Sequence, residues 1–208
     1  FLKLNQVILI IIFAQFIFSV AANLSVPFFA VFILQDIGAA AAVVWVAVAV
    51  YWTVKSVLQL PIARWIDKNH GEIDDYYSLL IGLAITTAGI FLFYFAGKTW
   101  HIFAIQALIA VGDAFAVPPL FAIFTRHIDH NSEGFEWALQ SSFSTGAGAA
   151  IGGALSGILV GLVGIRPLFL VNGTLMFVGL IILLFLRPYI RPKVPVPAQR
   201  VLIDPKRV

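Results

Sequence analysis

The sequence predicts an all-α, polytopic membrane protein that forms a bundle of six transmembrane helices. Of its 208 residues, 61% are hydrophobic and only 11% are charged, whereas soluble domains carry about 25% charged residues. The apolar residues form long runs, and about 20 such residues suffice for a helix to cross a bilayer core about 30 Å thick. The runs are apolar on every face and lack the short alternation of a membrane-spanning β-barrel.

Six apolar runs follow one another along the chain. The first is too long for the core of a signal peptide and no small-residue cleavage site follows it, so we interpret it as a helix that stays in the protein. Charged or turn-forming residues interrupt the chain between successive runs. The predicted spans lie near residues 7–33, 39–63, 76–96, 101–125, 137–163 and 168–186. Residues 1–187 are therefore predicted to form one transmembrane bundle.

The positions of Lys and Arg predict how the bundle is oriented. If residue 1 lies in the cytoplasm, Lys98 and Arg166 are the only basic residues on the extracellular side. The basic residues that fall inside are Lys3, Arg64, Lys68, Arg126, Arg187, Arg191, Lys193, Arg200, Lys206 and Arg207. Because Lys and Arg concentrate in cytoplasmic loops, we expect a multi-pass protein of the cell (plasma or inner) membrane with both termini in the cytoplasm.

The segment 188–208 is rich in proline and basic residues. We expect it to form an extended cytoplasmic tail that lies near anionic lipid headgroups. A solvated tail without a lipid site is the alternative.

Two charged residues are predicted at mid-membrane depth. Lys55 precedes Asp67 by 12 residues and Asp113 precedes Arg126 by 13 residues, so each lies roughly 18–20 Å from the cytoplasmic end of its helix. An ionised side chain costs about 2.5–3.5 kcal/mol at this depth, and such residues usually face the bundle interior and pair. We predict an ion pair between Lys55 and Asp113. Its role is either structural or, if Asp113 binds and releases a proton or contacts the substrate, functional.

The loop after the second run resembles a signature of the major facilitator superfamily. The loop reads PIARWIDKNHG over residues 61–71. Asp67 and Lys68 match the Asp-Arg pair of the family, and Gly71 supplies the turn one residue later than the family's glycine. The acidic residues that follow the loop depart from the family, which has basic residues there.

An Asp beside a cation at a helix end can accept backbone N–H bonds from a neighbouring helix and hold that side of a bundle closed. The resemblance therefore implies a gating loop formed by Arg64, Asp67, Lys68 and Gly71. The alternative is an acidic residue that simply faces water.

Small residues recur at intervals of four in the fifth run, at residues 149, 153, 157 and 161. On a helix they form a narrow face that a second backbone can approach closely. Gly148, Gly152 and Gly153 also resemble the glycines of the family's fifth-helix motif, with Ala in place of its Pro. We expect Gly148, Gly152, Gly153, Gly157 and Gly161 to form a helix-packing face, either within this bundle or towards a second copy.

The fourth run is similar to the fourth helix of the family, with Gly112 and a Pro118-Pro119 pair. Gln106 lies where many family members carry a functional Arg. Since the first and fourth helices line the pathway in this family, the resemblance implies that Gln15, Asn23 and Gln106 line a cavity. Hydrogen bonding between helices is the alternative role for each of them.

The resemblance implies secondary active transport of a small solute by alternating access, with no cofactor. Carriers of this family combine two parallel six-helix bundles, so we expect either a homodimer or half of a longer carrier. The expected partners are the lipid bilayer, a second six-helix bundle and a small-molecule substrate. A non-transporting membrane scaffold or assembly partner is the alternative, and the sequence does not identify a substrate.

Other functional classes are disfavoured. The sequence has no cysteine and its histidines lie at or near loops, which leaves Ser156 without the intramembrane histidine that a serine protease requires. We therefore predict neither an enzyme nor a metal site. The basic residues are scattered among helix ends, so they do not form a surface for nucleic acid.

Overall fold

The computed structural model describes residues 4–68 and 71–190, except for the side chains of Asp67 and Lys68. The described chain is helical and contains no strand. Its six long helices are α1 (Gln6–Asp36), α2 (Ala41–Ile66, continuing as helix to Lys68), α3 (Glu72–Phe95), α4 (Thr99–His127), α5 (Glu133–Val163) and α6 (Ile165–Tyr189). Each is long and apolar enough to cross a membrane. The predicted all-α fold with six transmembrane helices is confirmed, while the predicted tail lies largely outside the described residues.

Two helices begin about one turn earlier than their apolar runs. α3 begins at Glu72 and α5 at Glu133, whereas the runs begin near residues 76 and 137. Acidic residues occupy the first turn of both helices, where they interact favourably with the positive end of the helix dipole. Hydropathy alone does not recognise such a turn because its residues are charged.

Two helices contain π-helical segments. α1 has a 3₁₀ turn at Val26–Phe28 and a π-helix at Phe32–Asp36. The 3₁₀ turn contains Pro27, which has no backbone N–H to donate. α5 is π-helical over Gln140–Ala147. Segments of this kind often occur at functional sites, and residues from the irregular parts of both helices line the cavity described below.

The packing divides the helices into a core and two outer members. In the core, α3 packs against α4 and α6, and α6 packs against α1. The two outer helices are α2, which packs mainly against α4, and α5, which packs mainly against α1. In the most apolar part of the helices, half of the residues of α3 and α4 are buried, but only 6% in α2 and 17% in α5. The described residues therefore leave most of the surface of α2 and α5 uncovered.

Glycines allow α3 and α4 to approach closely. A Cβ atom added at Gly82 would lie 2.5 Å from the Gly112 carbonyl oxygen, and one added at Gly112 would lie 2.4 Å from Thr86 Oγ1. Neither position has room for a side chain. This contact brings Thr86 next to Asp113, the residue that follows Gly112 in α4.

Charged residues connect the helices at both ends of the bundle. We call the end that holds Gln6 and Arg126 the basic end, and the other the opposite end. At the basic end Arg126 of α4 forms an ion pair with Asp75 of α3. At the opposite end the Arg166 guanidinium donates to the Ala96 carbonyl at 2.7 Å and to Asp36 Oδ1 at 3.3 Å. Arg166 thus joins the ends of α1, α3 and α6.

Candidate functional site

A cavity of about 1070 Å³ lies between the helices and is lined mainly by α1, α2 and α4. Its aromatic residues are Phe18, Phe29, Trp45, Tyr51, Trp52, Phe93, Phe121 and Phe169. Its polar residues are Gln15, Ser25, Tyr51, Thr86, Gln106, Asp113, Gln140, Thr145 and Asn172. The wall is therefore apolar and aromatic with a few convergent polar groups, which is the usual composition of a small-molecule site.

The predicted ion pair between Lys55 and Asp113 is present in the cavity region. Lys55 Nζ lies 3.8 Å from Asp113 Oδ2, and the Tyr51 hydroxyl lies between the two charges. Lys55 Nζ donates to the Tyr51 hydroxyl oxygen at 2.9 Å, and this hydroxyl donates to Asp113 Oδ2 at 2.5 Å. Thr86 Oγ1 donates to Asp113 Oδ1 at 2.9 Å. Both carboxylate oxygens therefore have a hydrogen-bond partner.

The two charges differ in how they face the cavity. Asp113 is a cavity-lining residue, while Lys55 is not; their side chains are 21% and 13% exposed. The Lys55 ammonium also lies 5.2 Å from the ring centroid of Tyr51 and 5.3 Å from that of Trp52. Both distances suit a cation–π interaction. The Asp113 carboxylate therefore faces the cavity, while the Lys55 ammonium lies against the rings of Tyr51 and Trp52.

The amide side chains expected in the cavity are divided between two environments. Gln15 lines the cavity and accepts a hydrogen bond from Gln140 Nε2 at 2.7 Å, and Gln106 also lines it. Asn23 does not, because its Nδ2 donates to the Ser19 carbonyl at 2.9 Å and its side chain packs against Gly152 of α5. The expectation that Asn23 lines the cavity is corrected, since this part of α1 turns towards α5.

Sequence reasoning missed several residues of the site. Tyr51 precedes Lys55 by four residues, so the spacing alone places both on one helix face. No comparable sequence signal places Thr86 beside Asp113, since that position depends on how α3 packs against α4. Asn172 joins α6 to α1, because its Nδ2 donates to Ser25 Oγ at 2.7 Å. However, Asn172 also lines the cavity, and its buried Oδ1 has no hydrogen-bond partner among the described residues.

The predicted gating loop is described only in part. Gly71 is the residue before α3 and has an extended backbone, with φ −109° and ψ 153°. Arg64 lies on the exposed side of α2, in a groove that it shares with Leu60. The side chains of Asp67 and Lys68 lie outside the described residues, so their gating role stays a prediction.

Acidic residues after this loop contact the end of α4 at the basic end. Besides the Asp75–Arg126 pair, His127 Nδ1 lies 3.6 Å from Glu72 Oε1. The acidic residues by which this chain departs from the family signature thus connect α3 to the end of α4.

The expected glycine face of α5 consists of two separate faces. A Cβ atom added at Gly148 would lie 2.7 Å from Ser19 Cβ, and one added at Gly152 would lie 2.4 Å from the Val20 carbonyl oxygen. These two glycines therefore pack against α1. Gly153, Gly157 and Gly161 have no described atom within 4 Å of an added Cβ, so the described part of the chain leaves their side of α5 open.

Comparisons with known proteins agree with this architecture. The sequence profile described as "Major Facilitator Superfamily" matches residues 11–207. The chain is 36% identical over 107 residues to the "Multidrug resistance protein MdtG" of Proteus mirabilis (strain HI4320), a match that covers 50% of this chain and 25% of that protein.

The fold is similar to that in the "In meso crystal structure of the POT family transporter PepTSo", with a TM-score of 0.70 and 18% sequence identity. This match covers 94% of the chain and 40% of the transporter. The chain therefore spans less than half the length of either relative. The family match and the six long apolar helices indicate a multi-pass membrane protein. The profile match covers most of the sequence, and the chain belongs to the Major Facilitator Superfamily.

Proposed function

We propose that this chain is a secondary active transporter that moves a small solute by alternating access, together with a second six-helix bundle. That bundle is either a second copy of the chain or the other half of a longer carrier. The small share of α2 and α5 that is buried supports this proposal, since a bundle that works alone would cover more of the helices beside its cavity.

We further propose that the protein lies in the cell membrane with its basic end in the cytoplasm. Arg64, Arg126 and Arg187 lie at this end, and Lys98 and Arg166 lie at the opposite end. Lys and Arg concentrate in cytoplasmic loops. Both termini then face the cytoplasm, and the end of α2 with Asp67 and Lys68 controls access from that side.

The observation that carries the proposal is the Asp113 carboxylate on the cavity wall. Asp113 is the middle residue of α4, which runs from Thr99 to His127, so it lies midway across the membrane. A cationic group on a solute would compete with Lys55 for this carboxylate. A proton bound to Asp113 would remove the negative charge that holds either cation. Solute and proton therefore compete for one carboxylate, which is the requirement for exchange transport.

The cavity wall also indicates the kind of solute. Aromatic rings line the same cavity as Asp113, and rings of this kind bind flat apolar groups and cations. We therefore propose a lipophilic solute with a cationic or hydrogen-bond-donating group. The name of the MdtG relative, a multidrug resistance protein, supports a solute of this class. An apolar wall discriminates weakly between compounds of similar size.

Uptake into proteoliposomes tests the proposal. The panel contains a lipophilic monovalent cation, a lipophilic anion, a neutral aromatic compound and an amino acid, each with and without a proton gradient. We expect gradient-dependent movement of the cation, and at least a tenfold loss of it in Asp113→Asn. Asp74→Asn is the matched control because Asp74 is exposed and lies outside the cavity lining, and it should transport normally.

Two results would contradict the proposal. Unchanged proton-dependent uptake in Asp113→Asn would show that the carboxylate has no coupling role. If no compound moves although the reconstituted protein is helical and monodisperse, the non-transporting scaffold becomes the better assignment.

A further inference from the structure

A pair of amide side chains joins α1 to α5 at the wall of the cavity. Gln140 Nε2 donates to Gln15 Oε1 at 2.7 Å, and both residues line the cavity. We call Gln15 and Gln140 the amide pair. Both residues are partly buried, and the exchange of a cation and a proton proposed for Asp113 does not use them. The cavity therefore holds a second polar group besides Asp113.

The amide pair keeps a donor and an acceptor that its own hydrogen bond does not use. Each amide offers an NH₂ group and a carbonyl oxygen, but a single hydrogen bond connects the two residues. Among the described residues, Gln15 Nε2 and Gln140 Oε1 have no hydrogen-bond partner, and neither atom is buried. Turning both amides over would exchange the two roles and leave the same surplus of one donor group and one acceptor. The amide pair can therefore bind a group that donates one hydrogen bond and accepts another.

Other hydrogen bonds hold α5 against α1 next to the amide pair. Ser144 Oγ donates to the Ile12 carbonyl at 3.0 Å. Ser19 Oγ donates to the Thr145 carbonyl, also at 3.0 Å. Gln140 begins the π-helical segment that contains Ser144 and Thr145. The two helices therefore remain joined when the hydrogen bond of the amide pair breaks, which leaves both amides able to turn towards a solute.

The amide pair and Asp113 lie at different depths of the same cavity. Measured along each helix from the basic end at about 1.5 Å per residue, Gln15 lies at about 14 Å and Gln140 at about 11 Å. Asp113 lies at about 21 Å by the same measure. Thr86, which donates to Asp113, also lies at about 21 Å along α3, so the measure agrees between two helices. The amide pair is therefore about 7–10 Å closer to the basic end than the carboxylate.

Apolar side chains line the cavity between these two depths. Phe18 of α1, Leu83 of α3 and Val117 of α4 are cavity residues, and they lie about 15–18 Å from the basic end by the same measure. Apolar surface in contact with apolar surface is favourable, and an aromatic ring packs well against another ring such as that of Phe18. A solute that reaches both polar groups therefore needs an apolar body between them.

We propose that the amide pair is a second binding point for the solute and that it binds a carboxamide. This inference rests on the proposed function, since Asp113 holds the cationic group of the same solute. The amide N–H of the solute donates to Gln140 Oε1, and its carbonyl oxygen accepts from Gln15 Nε2. The substrate class is then a lipophilic amine with an aromatic body and an amide about 7–10 Å from its charge.

Two solutes that differ at one group test the proposal. One is an aromatic tertiary amine with a secondary amide about 8 Å from its ammonium group. In the other, an ester oxygen replaces the amide N–H. Each competes with the proton-dependent uptake of a lipophilic cation in proteoliposomes. We expect the amide to inhibit at about tenfold lower concentration than the ester, because the ester keeps the carbonyl but has no N–H to donate to Gln140 Oε1.

Variants of the amide pair test its residues directly. Gln15→Met and Gln140→Met each remove one amide and keep a side chain of similar length. We expect the ratio of the ester and amide inhibition constants to fall from about ten to about one in both variants. Because the ratio is measured within one variant, a general loss of uptake does not change it.

Two controls should keep the wild-type ratio. Gln106→Met is the matched control, because Gln106 also lines the cavity but lies about 32 Å from the basic end, on the other side of Asp113. Ser144→Ala removes a different hydrogen bond between α1 and α5 and does not change the cavity lining. It therefore separates solute binding from the joining of the two helices.

Binding to the purified protein in detergent separates this inference from the proposed function. Trp45 and Trp52 line the cavity, so quenching of tryptophan fluorescence reports binding without transport. A preference for the amide that Gln15→Met removes, without uptake of any solute, would support the amide pair and contradict transport. Equal binding of amide and ester, together with proton-dependent uptake, would overturn the amide pair and leave the transport proposal standing.

Three further results would overturn the inference. The preference for the amide would survive in both Gln15→Met and Gln140→Met, or it would be lost in Gln106→Met instead, which would place the amide of the solute on the other side of Asp113. Failure of both compounds to bind would show that the amide pair is not a solute site.

Discussion

Separating the charges of Lys55 and Asp113 is the most direct test of how the site is held together. The perturbation has three parts: Lys55→Met alone, Asp113→Asn alone, and both together. Each single substitution leaves one charge at mid-membrane depth without its counter-charge. The double substitution removes both charges and keeps side chains of similar size. We expect each single variant to be less stable than the double variant.

The magnitude follows from the geometry of the pair. Two charges 3.8 Å apart attract by about 4 kcal/mol at an effective dielectric constant of about 20. Removing one partner of a fully buried pair costs about 3–5 kcal/mol, but these side chains are 13% and 21% exposed. The hydroxyl of Tyr51 also stays beside the remaining charge. We therefore expect each single variant to lose about 2–3 kcal/mol of unfolding free energy, and the double variant to lie within about 1 kcal/mol of wild type.

Thermal unfolding in detergent, followed by circular dichroism or an intrinsic fluorescence scan, measures this effect. For a chain of this size, a loss of about 2–3 kcal/mol corresponds to a Tm decrease of about 5–10 °C. The four proteins form a double-mutant cycle, which isolates the interaction between the two residues. Asp74→Asn serves as the control for removing a charge outside the site. We expect it to lose less than about 1 kcal/mol of unfolding free energy, because Asp74 is exposed and its charge acts mainly on the dipole of α3.

The reasoning is refuted if the two single effects simply add in the double variant. Additivity would show that Lys55 and Asp113 do not interact in the folded protein, despite their distance. Single variants as stable as wild type would show instead that water compensates each charge, and that the pair contributes little to folding.

Three further predictions concern other contacts. Arg166→Gln removes charged hydrogen bonds that join three helix ends and should cost about 1–3 kcal/mol in thermal unfolding; Arg166→Lys should recover only part of the loss, because it has no guanidinium fork. Gly82→Ala places a Cβ 2.5 Å from the Gly112 carbonyl oxygen and should cost about 1–3 kcal/mol. Gly97→Ala is the control, because a Cβ added there meets no described atom within 4 Å. It should change the free energy of unfolding by less than about 1 kcal/mol. Tyr51→Phe removes the hydroxyl between the two charges, and proteoliposome uptake should fall about tenfold while helicity is retained.

Much of the fold was predictable because the bilayer imposes a requirement on each helix separately. Any segment that crosses the hydrocarbon core must satisfy its own backbone hydrogen bonds and be long and apolar. The six apolar runs therefore identified the six helices. The helix ends differ most from the runs at charged segments, which are the starts of α3 and α5 at Glu72 and Glu133 and the end of α2, which continues to Lys68. The common depth of Lys55 and Asp113 was predictable in the same way, from residue counts along two helices.

The direction in which a side chain faces was less predictable. Asn23 was expected in the cavity, yet it lies against α5. Gly152 and Gly153 are neighbours in the expected glycine face, yet one packs on α1 and the other faces open space. Adjacent residues on a helix point about 100° apart, so a small error in helix rotation exchanges a cavity residue for a packing residue.

The sequence by itself determined that the protein lies in a lipid bilayer, how many helices it has and how deep its charged residues lie. Each of these depends on the composition along one helix. Only the tertiary structure decided that Thr86 completes the site around Asp113 and that α2 and α5 keep uncovered faces beside the cavity. Both depend on how closely and at what rotation separate helices meet. That contact is set by the shapes of all the residues at the helix surfaces, and no single run of the sequence contains it.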